Sequence, residues 1–149
     1  MFSLDDLKRQ HREIMLRATD LRGLGDMIKT RDDALEARAG IEGIDRMLIE
    51  HLTIEDDNLY PALLNCGDRG LAVLAADCAE EMGGILGAWV AYRDQWTAGA
   101  IMVDPKRFSA ATAGVIGALA LRVERENSEL YPAMDAVLAS SVKARFAVG

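Results

Sequence analysis

Prolines number only three in 149 residues, and two of them, Pro61 and Pro132, fall in the same Leu-Tyr-Pro-Ala tetrapeptide. With so few breakers and long stretches free of turn clusters, helices should dominate. Cysteines number two, Cys66 and Cys78, too few for a disulfide framework and without zinc-ribbon spacing. They read as reduced thiols, one in a loop and one in a core. No apolar run approaches the ~20 residues of a membrane span, and no basic-then-apolar signal sequence opens the chain. The expected compartment is therefore the cytoplasm. Positive charge is not in excess either: the formal net charge is -7, with both signs interspersed. That argues against a nucleic acid or an anionic membrane as partner. A Ser/His/Asp triad and a Gly-rich phosphate loop are also missing.

What is present is an ordinary globular balance, 50% hydrophobic and 28% charged, in a length suited to one domain over residues 1–149. Ser3 with Asp6 marks the start of a first helix carrying Leu4, Leu7, Ile14, Leu21 and Leu24 inward, with His11 on the same stripe. Gly23 and Gly25 break it. Thr30 with Asp33 opens a second helix, which turns Leu35, Ile41, Ile44, Leu48, Leu52 and Leu59 inward until Pro61 kinks or ends it. Asn65-Cys66-Gly67-Asp68 forms a loop. A third helix follows over roughly 69–96, with Val73, Ile85, Leu86 and Trp89 inward. Asp104-Pro105, a cap followed by proline at the first helical position, starts a fourth helix running to about Leu138. Ser140 to Gly149 is read as a short extra turn. The expected fold class is all-α, an up-down-up-down four-helix bundle.

The bundle is built as a duplicated hairpin. A shift of 71 residues, from His51 to Arg122, aligns the halves without a gap. His51-x-x-x-Glu55-x-x-x-Leu59-Tyr60-Pro61-Ala62 falls on Arg122-x-x-x-Glu126-x-x-x-Leu130-Tyr131-Pro132-Ala133, and Ile14, Gly43 and Leu48 fall on Ile85, Gly114 and Leu119. The same register sets His11 opposite Met82. Tyr60 and Tyr131 take equivalent places, where the expected role is to close the bundle end with a hydroxyl bonded to backbone or to a glutamate.

His51 and Glu55, four residues apart, share one helix face, so an imidazole nitrogen and a carboxylate oxygen can converge on one cation. The flanking leucines turn that face into the bundle. His11, the only other histidine, lies on an inward stripe as well. Taken singly, each of these residues is more often a hydrogen-bonded core or surface group than a ligand. The duplication changes this by adding Glu126 at the position equivalent to Glu55. Carboxylates and imidazoles gathered in one core need mutual or cationic neutralisation. His11, His51, Glu55 and Glu126 are therefore the candidate metal ligands, a mixed nitrogen and oxygen set suited to iron or zinc.

The run HLTIEDDNLYPAL, preceded by a single histidine in the first helix and partly repeated in the fourth, resembles the hemerythrin-like (HHE cation-binding) domain family over nearly the whole chain. The resemblance implies a lone histidine on helix 1, His-x-x-x-Glu on helix 2, a histidine on helix 3 and His-x-x-x-Glu on helix 4. Together these enclose two carboxylate-bridged irons. It also implies functions such as oxygen binding, sensing of oxygen, redox state or iron, and handling of reactive oxygen and nitrogen species. His11, His51, Glu55 and Glu126 match ligand positions of that pattern. Met82 and Arg122 replace its other two histidines, so a full di-iron ligand set is missing. At most one iron or other divalent ion is expected, with Glu81 as a further oxygen donor beside Met82.

Arg122 opens a metal-free alternative. Turned inward, its guanidinium neutralises Glu55 and Glu126 and repels a nearby cation; turned outward, it snorkels to solvent. The 71-residue register favours the inward position. Met82 is followed by Gly83-Gly84 inside a helical run, which suits a close helix approach, room for Arg122 or a small cavity. Cys78 and Met82, four apart, are read as packing. The functional expectation is a small sensor, regulatory or metal-binding protein, more a binder than an enzyme. The rivals are a metal-free module that binds a protein partner, and an iron protein acting on a gaseous or redox ligand such as oxygen, peroxide or nitric oxide.

Overall fold

The computed structural model describes residues 3–137, which include helices and no strand. Helix α1 (Leu4–Gly25) starts from a capping box, in which the Ser3 hydroxyl accepts from the Asp6 backbone and the Asp6 carboxylate accepts from that of Ser3. Thr30 and Asp33 repeat the device at the start of α2 (Arg31–Ile54). Asp68 caps α4 (Arg69–Met82), after a turn in which Gly67 takes the left-handed conformation (φ 84°) that favours glycine. Asp104 caps α7 (Pro105–Arg125), with proline at the first helical position as the sequence implies.

Four helical columns make the bundle. Helix α1 packs on α2 and α7, while α5 (Ile85–Gln95) packs on α7 and α2 and so closes the square. Leu7, Ile14, Leu21, Ile41, Ile44, Leu48, Trp89 and Leu119 fill the centre, each almost inaccessible to solvent. At the far end Trp96 and Tyr92 pack on Phe108, and the Tyr92 hydroxyl meets Thr112 Oγ1 at 2.7 Å.

Several expectations need correction. The third helix is not continuous over 69–96. It breaks at Gly83-Gly84 into α4 and α5, and a short α6 (Ala98–Val103) precedes α7. A Cβ at Gly83 would lie 2.5 Å from the Ala79 carbonyl oxygen, so the break requires glycine there. Leu35 and Val73 point to solvent, at 48% and 55% exposure. The inward positions near them belong to Ala34, Ala37 and Ala75, small residues that allow close helix approach. A reading weighted towards large apolar side chains passes over such alanines. The reading of Ser140–Gly149 lies outside the described residues.

Pro61 neither ends nor merely kinks its helix. Helix α2 passes through a π-helical turn (Glu55–Leu59) into α3 (Tyr60–Leu64), and α7 passes through an equivalent turn (Glu126–Leu130) into a helix over 131–137. In each, the tyrosine N–H bonds the glutamate carbonyl five residues back. Proline has no N–H to give, and its ring collides with the carbonyl four residues back in a regular helix. Widening by one residue relieves that collision. It also leaves leucine and tyrosine adjacent and both buried, at Leu59-Tyr60 and Leu130-Tyr131.

Candidate metal centre

Both π turns open on a glutamate, and both glutamates enter the same pocket of the core. Glu55 and Glu126 are completely buried, and His11, His51 and Arg122 are 1–2% exposed. One donor atom from each of His11, His51, Glu55 and Glu126 lies within 4.8 Å of all the others. The four residues singled out from the sequence thus meet at one point, brought there by α1, α2 and the two π turns.

The histidines turn their Nε2 atoms inward. His51 Nδ1 donates to Gln10 Oε1 at 2.6 Å, and His11 Nδ1 to Asn127 Oδ1 at 2.8 Å. An amide oxygen only accepts, so each imidazole donates through Nδ1 and turns Nε2 to the centre, where His11 Nε2 also meets the Tyr131 hydroxyl at 3.2 Å. His51 Nε2 stands 2.9 Å from Glu55 Oε1, and His11 Nε2 stands 3.1 Å from Glu126 Oε1. The first of these is not an ion pair. Burial holds the His51 imidazole at about 4, well below its usual value, so it is neutral and its Nε2 has no hydrogen to give.

The tyrosines reach across the two halves. Tyr60 donates to Glu126 Oε2 at 2.7 Å and Tyr131 to Glu55 Oε2 at 2.9 Å. Each repeat thereby fixes the other's glutamate. Tyr131 also stacks on the His11 ring, with centroids 5.3 Å apart. Burial pushes both phenols far above their ordinary range, so they act as donors.

Arg122 points inward, as the register favours. Its Nε faces Glu126 Oε2 at 3.4 Å, Nη1 donates to the Met82 carbonyl at 3.3 Å, and Nη2 to Asp56 Oδ1 at 2.7 Å. The guanidinium stays charged, because the attraction of Glu126 and Glu55 outweighs the cost of burying it. Burial and the neighbouring Glu126 raise the Glu55 carboxyl well above its usual range. Burial acts on Glu126 in the same sense, but hydrogen bonding from His11 and the charge of Arg122 outweigh it and keep that carboxyl low.

Three buried atoms have no hydrogen-bond partner among the described residues: His51 Nε2, Glu55 Oε1 and Glu126 Oε1. Buried polar atoms rarely go unpaired, and here three face one another. All three are Lewis bases, and Arg122 hydrogen-bonds none of them. Separations of 2.9 and 3.1 Å between neighbouring donors suit ligands about 2.1 Å from a common cation. The donor set fits a divalent ion.

The hemerythrin HHE cation-binding domain model matches residues 3–134. The chain belongs to the hemerythrin HHE domain family. No curated protein and no solved structure matches it. In this hemerythrin HHE domain the site is lopsided, since Met82 and Arg122, which the 71-residue shift sets opposite His11 and His51, bring no imidazole. Glu81, expected as an extra donor, is not in the centre: its exposed carboxylate pairs with Arg125. Cys66 is exposed and Cys78 buried, both free thiols, matching the expected loop and core placement. Gln10, Asn127 and Asp56 were not legible as part of the site. A polar residue beside a ligand ordinarily lies on a helix's solvent face, and only the fold shows which of them turn back. None of the helices among the described residues is long and apolar enough to cross a membrane.

Proposed function

We infer that this hemerythrin HHE domain binds a single divalent transition ion, iron or zinc, through His11, His51, Glu55 and Glu126. On this reading it works as a small sensor or regulatory protein whose folded stability reports occupancy. The observation that carries the reading is the trio of unpaired inward Lewis bases, His51 Nε2, Glu55 Oε1 and Glu126 Oε1. A bound divalent ion supplies the positive charge that these buried carboxylates lack. Gln10 and Asn127 hold the two imidazoles in the ligating tautomer. Tyr60 and Tyr131 hold one oxygen of each glutamate, which leaves the other free to ligate.

A site of this kind links metal to folding. Binding to the folded state alone stabilises it by RT ln(1 + [L]/Kd), about 2.7 kcal/mol at a free ion concentration one hundred times Kd. A rise and fall of intracellular metal would then be read as a change in the population of the ordered site. The metal-free protein-interaction module remains the rival, supported by the ion pairs of Arg122 with Asp56 and Glu126. Thermal unfolding with and without a strong chelator separates them. The metal-binding reading expects a lower Tm in chelator, restored by adding back the ion. An unchanged Tm would favour the metal-free module.

A further inference from the structure

The internal symmetry extends beyond the ligands to the groups that hold them. Gln10 and Asn127 support His51 and His11. Under the 71-residue shift Gln10 corresponds to Glu81, and Asn127 to Asp56. The residues these two would support are Arg122 and Met82, so the second half has lost both imidazoles yet kept a hydrogen-bond acceptor at each supporting position. The acceptors have also changed in kind. Two neutral amides in one half correspond to two carboxylates in the other, and each carboxylate is engaged by an arginine: Asp56 by Arg122 at 2.7 Å, and Glu81 by Arg125.

We propose that Arg122, anchored by Asp56, is a fixed substitute for a second cation, occupying the half of the site that lacks imidazoles and leaving one divalent ion as the full complement. The proposal rests on the metal-binding reading above and adds what limits it to one ion. The guanidinium faces Glu126 through Oε2 and lies 3.5 Å from Glu55 Oε1, so it stands beside both carboxylates of the site. Glu126 Oε1 remains turned to His11 and clear of Arg122, whereas Glu55 Oε1 has both His51 Nε2 at 2.9 Å and Arg122 Nη2 at 3.5 Å beside it. Three carboxylates, Glu55, Glu126 and Asp56, face the one guanidinium, and so the site suits one divalent ion beside Arg122. A second divalent ion would have to displace a hydrogen-bonded guanidinium, and in a low-dielectric core the excess positive charge is strongly unfavourable.

Cobalt(II) binding, read by equilibrium dialysis with elemental analysis and by visible absorption, tests this on the full chain. The wild type is expected to hold one cobalt, and the double variant Met82→His with Arg122→His two. In that double variant Asp56→Ala should weaken the second ion about 10- to 100-fold and leave the first unchanged. A folded double variant that holds only one ion overturns the proposal. Should the double variant not fold, Arg122→Gln decides. Loss of a nearby positive charge should tighten the single cobalt at least tenfold, whereas equal or weaker binding would show that Arg122 merely supports the glutamates. A wild type that binds no cobalt removes the metal-binding reading itself. A wild type that binds one, with Arg122→Gln binding no more tightly, removes only the role given to Arg122.

Discussion

Tyr60 and Tyr131 are equivalent by sequence, but their removal should not cost the same. Each phenol donates to the opposite glutamate, at 2.7 Å to Glu126 and 2.9 Å to Glu55. Without metal the acceptors differ, because burial and Glu126 raise the Glu55 carboxyl while hydrogen bonding and the charge of Arg122 lower that of Glu126, so Glu126 is taken as the charged acceptor and Glu55 as the neutral one. A hydrogen bond to a charged group contributes about 1.5–3 kcal/mol, and one to a neutral group about 0.5–1.5. Tyr60→Phe should therefore cost about 2 kcal/mol and Tyr131→Phe about 1 kcal/mol in chelator at neutral pH. For a domain of this size those losses amount to about 4–8 °C and 2–4 °C in Tm. Phenylalanine keeps the ring and its stacking on His11, so the difference isolates the hydroxyl. Urea unfolding followed by circular dichroism measures both, with equal m values required for the comparison. With the divalent ion bound, Glu55 is ionised too and the Tyr131→Phe loss should grow to match that of Tyr60→Phe. If Tyr131→Phe costs as much as Tyr60→Phe in chelator, the proton is not on Glu55 and the asymmetric charge distribution is wrong.

Two further outcomes follow from the same geometry. The metal-free protein should lose stability through His51 as pH falls. Its imidazole sits at about 4 when folded against an ordinary 6.5, so between those values the unfolded chain binds the extra proton. The difference between wild type and His51→Gln should therefore fall from pH 6.5 towards 4, by up to about 3 kcal/mol, and a flat difference would refute it. At the α4–α5 break, Gly83→Ala forces a Cβ to 2.5 Å from the Ala79 carbonyl oxygen, whereas Gly84→Ala meets open space. Chemical denaturation should show a loss of about 1–3 kcal/mol for the first and at most a few tenths for the second, and equal effects would contradict this account of the break.

Much of the fold was legible because duplication made each half a check on the other. The gapless register placed His51, Glu55 and Glu126 on inward faces, and it placed Arg122 there too against the usual preference of arginine for solvent. Both capping boxes were visible, since a side-chain cap is a local interaction. What stayed hidden was non-local. The π turns arise from how a proline is absorbed within a helix anchored at both ends, which local pattern does not reveal. Leu35 and Val73 misled because the core at their level is filled by alanines, so apolar size and burial part company. Gln10, Asn127 and Asp56 escaped notice because their direction depends on packing between helices distant in sequence. Glu81 could be placed beside Met82 on its helix but not given its partner, Arg125, which comes from α7.

Metal content bears most directly on the central claim. Protein freshly purified from medium supplemented with iron and zinc, analysed for elements per chain, should carry close to one divalent ion, and the His51→Gln and Glu126→Gln variants should carry little. Wild-type protein with no bound ion, and no uptake on addition of iron(II) or zinc(II), would contradict it.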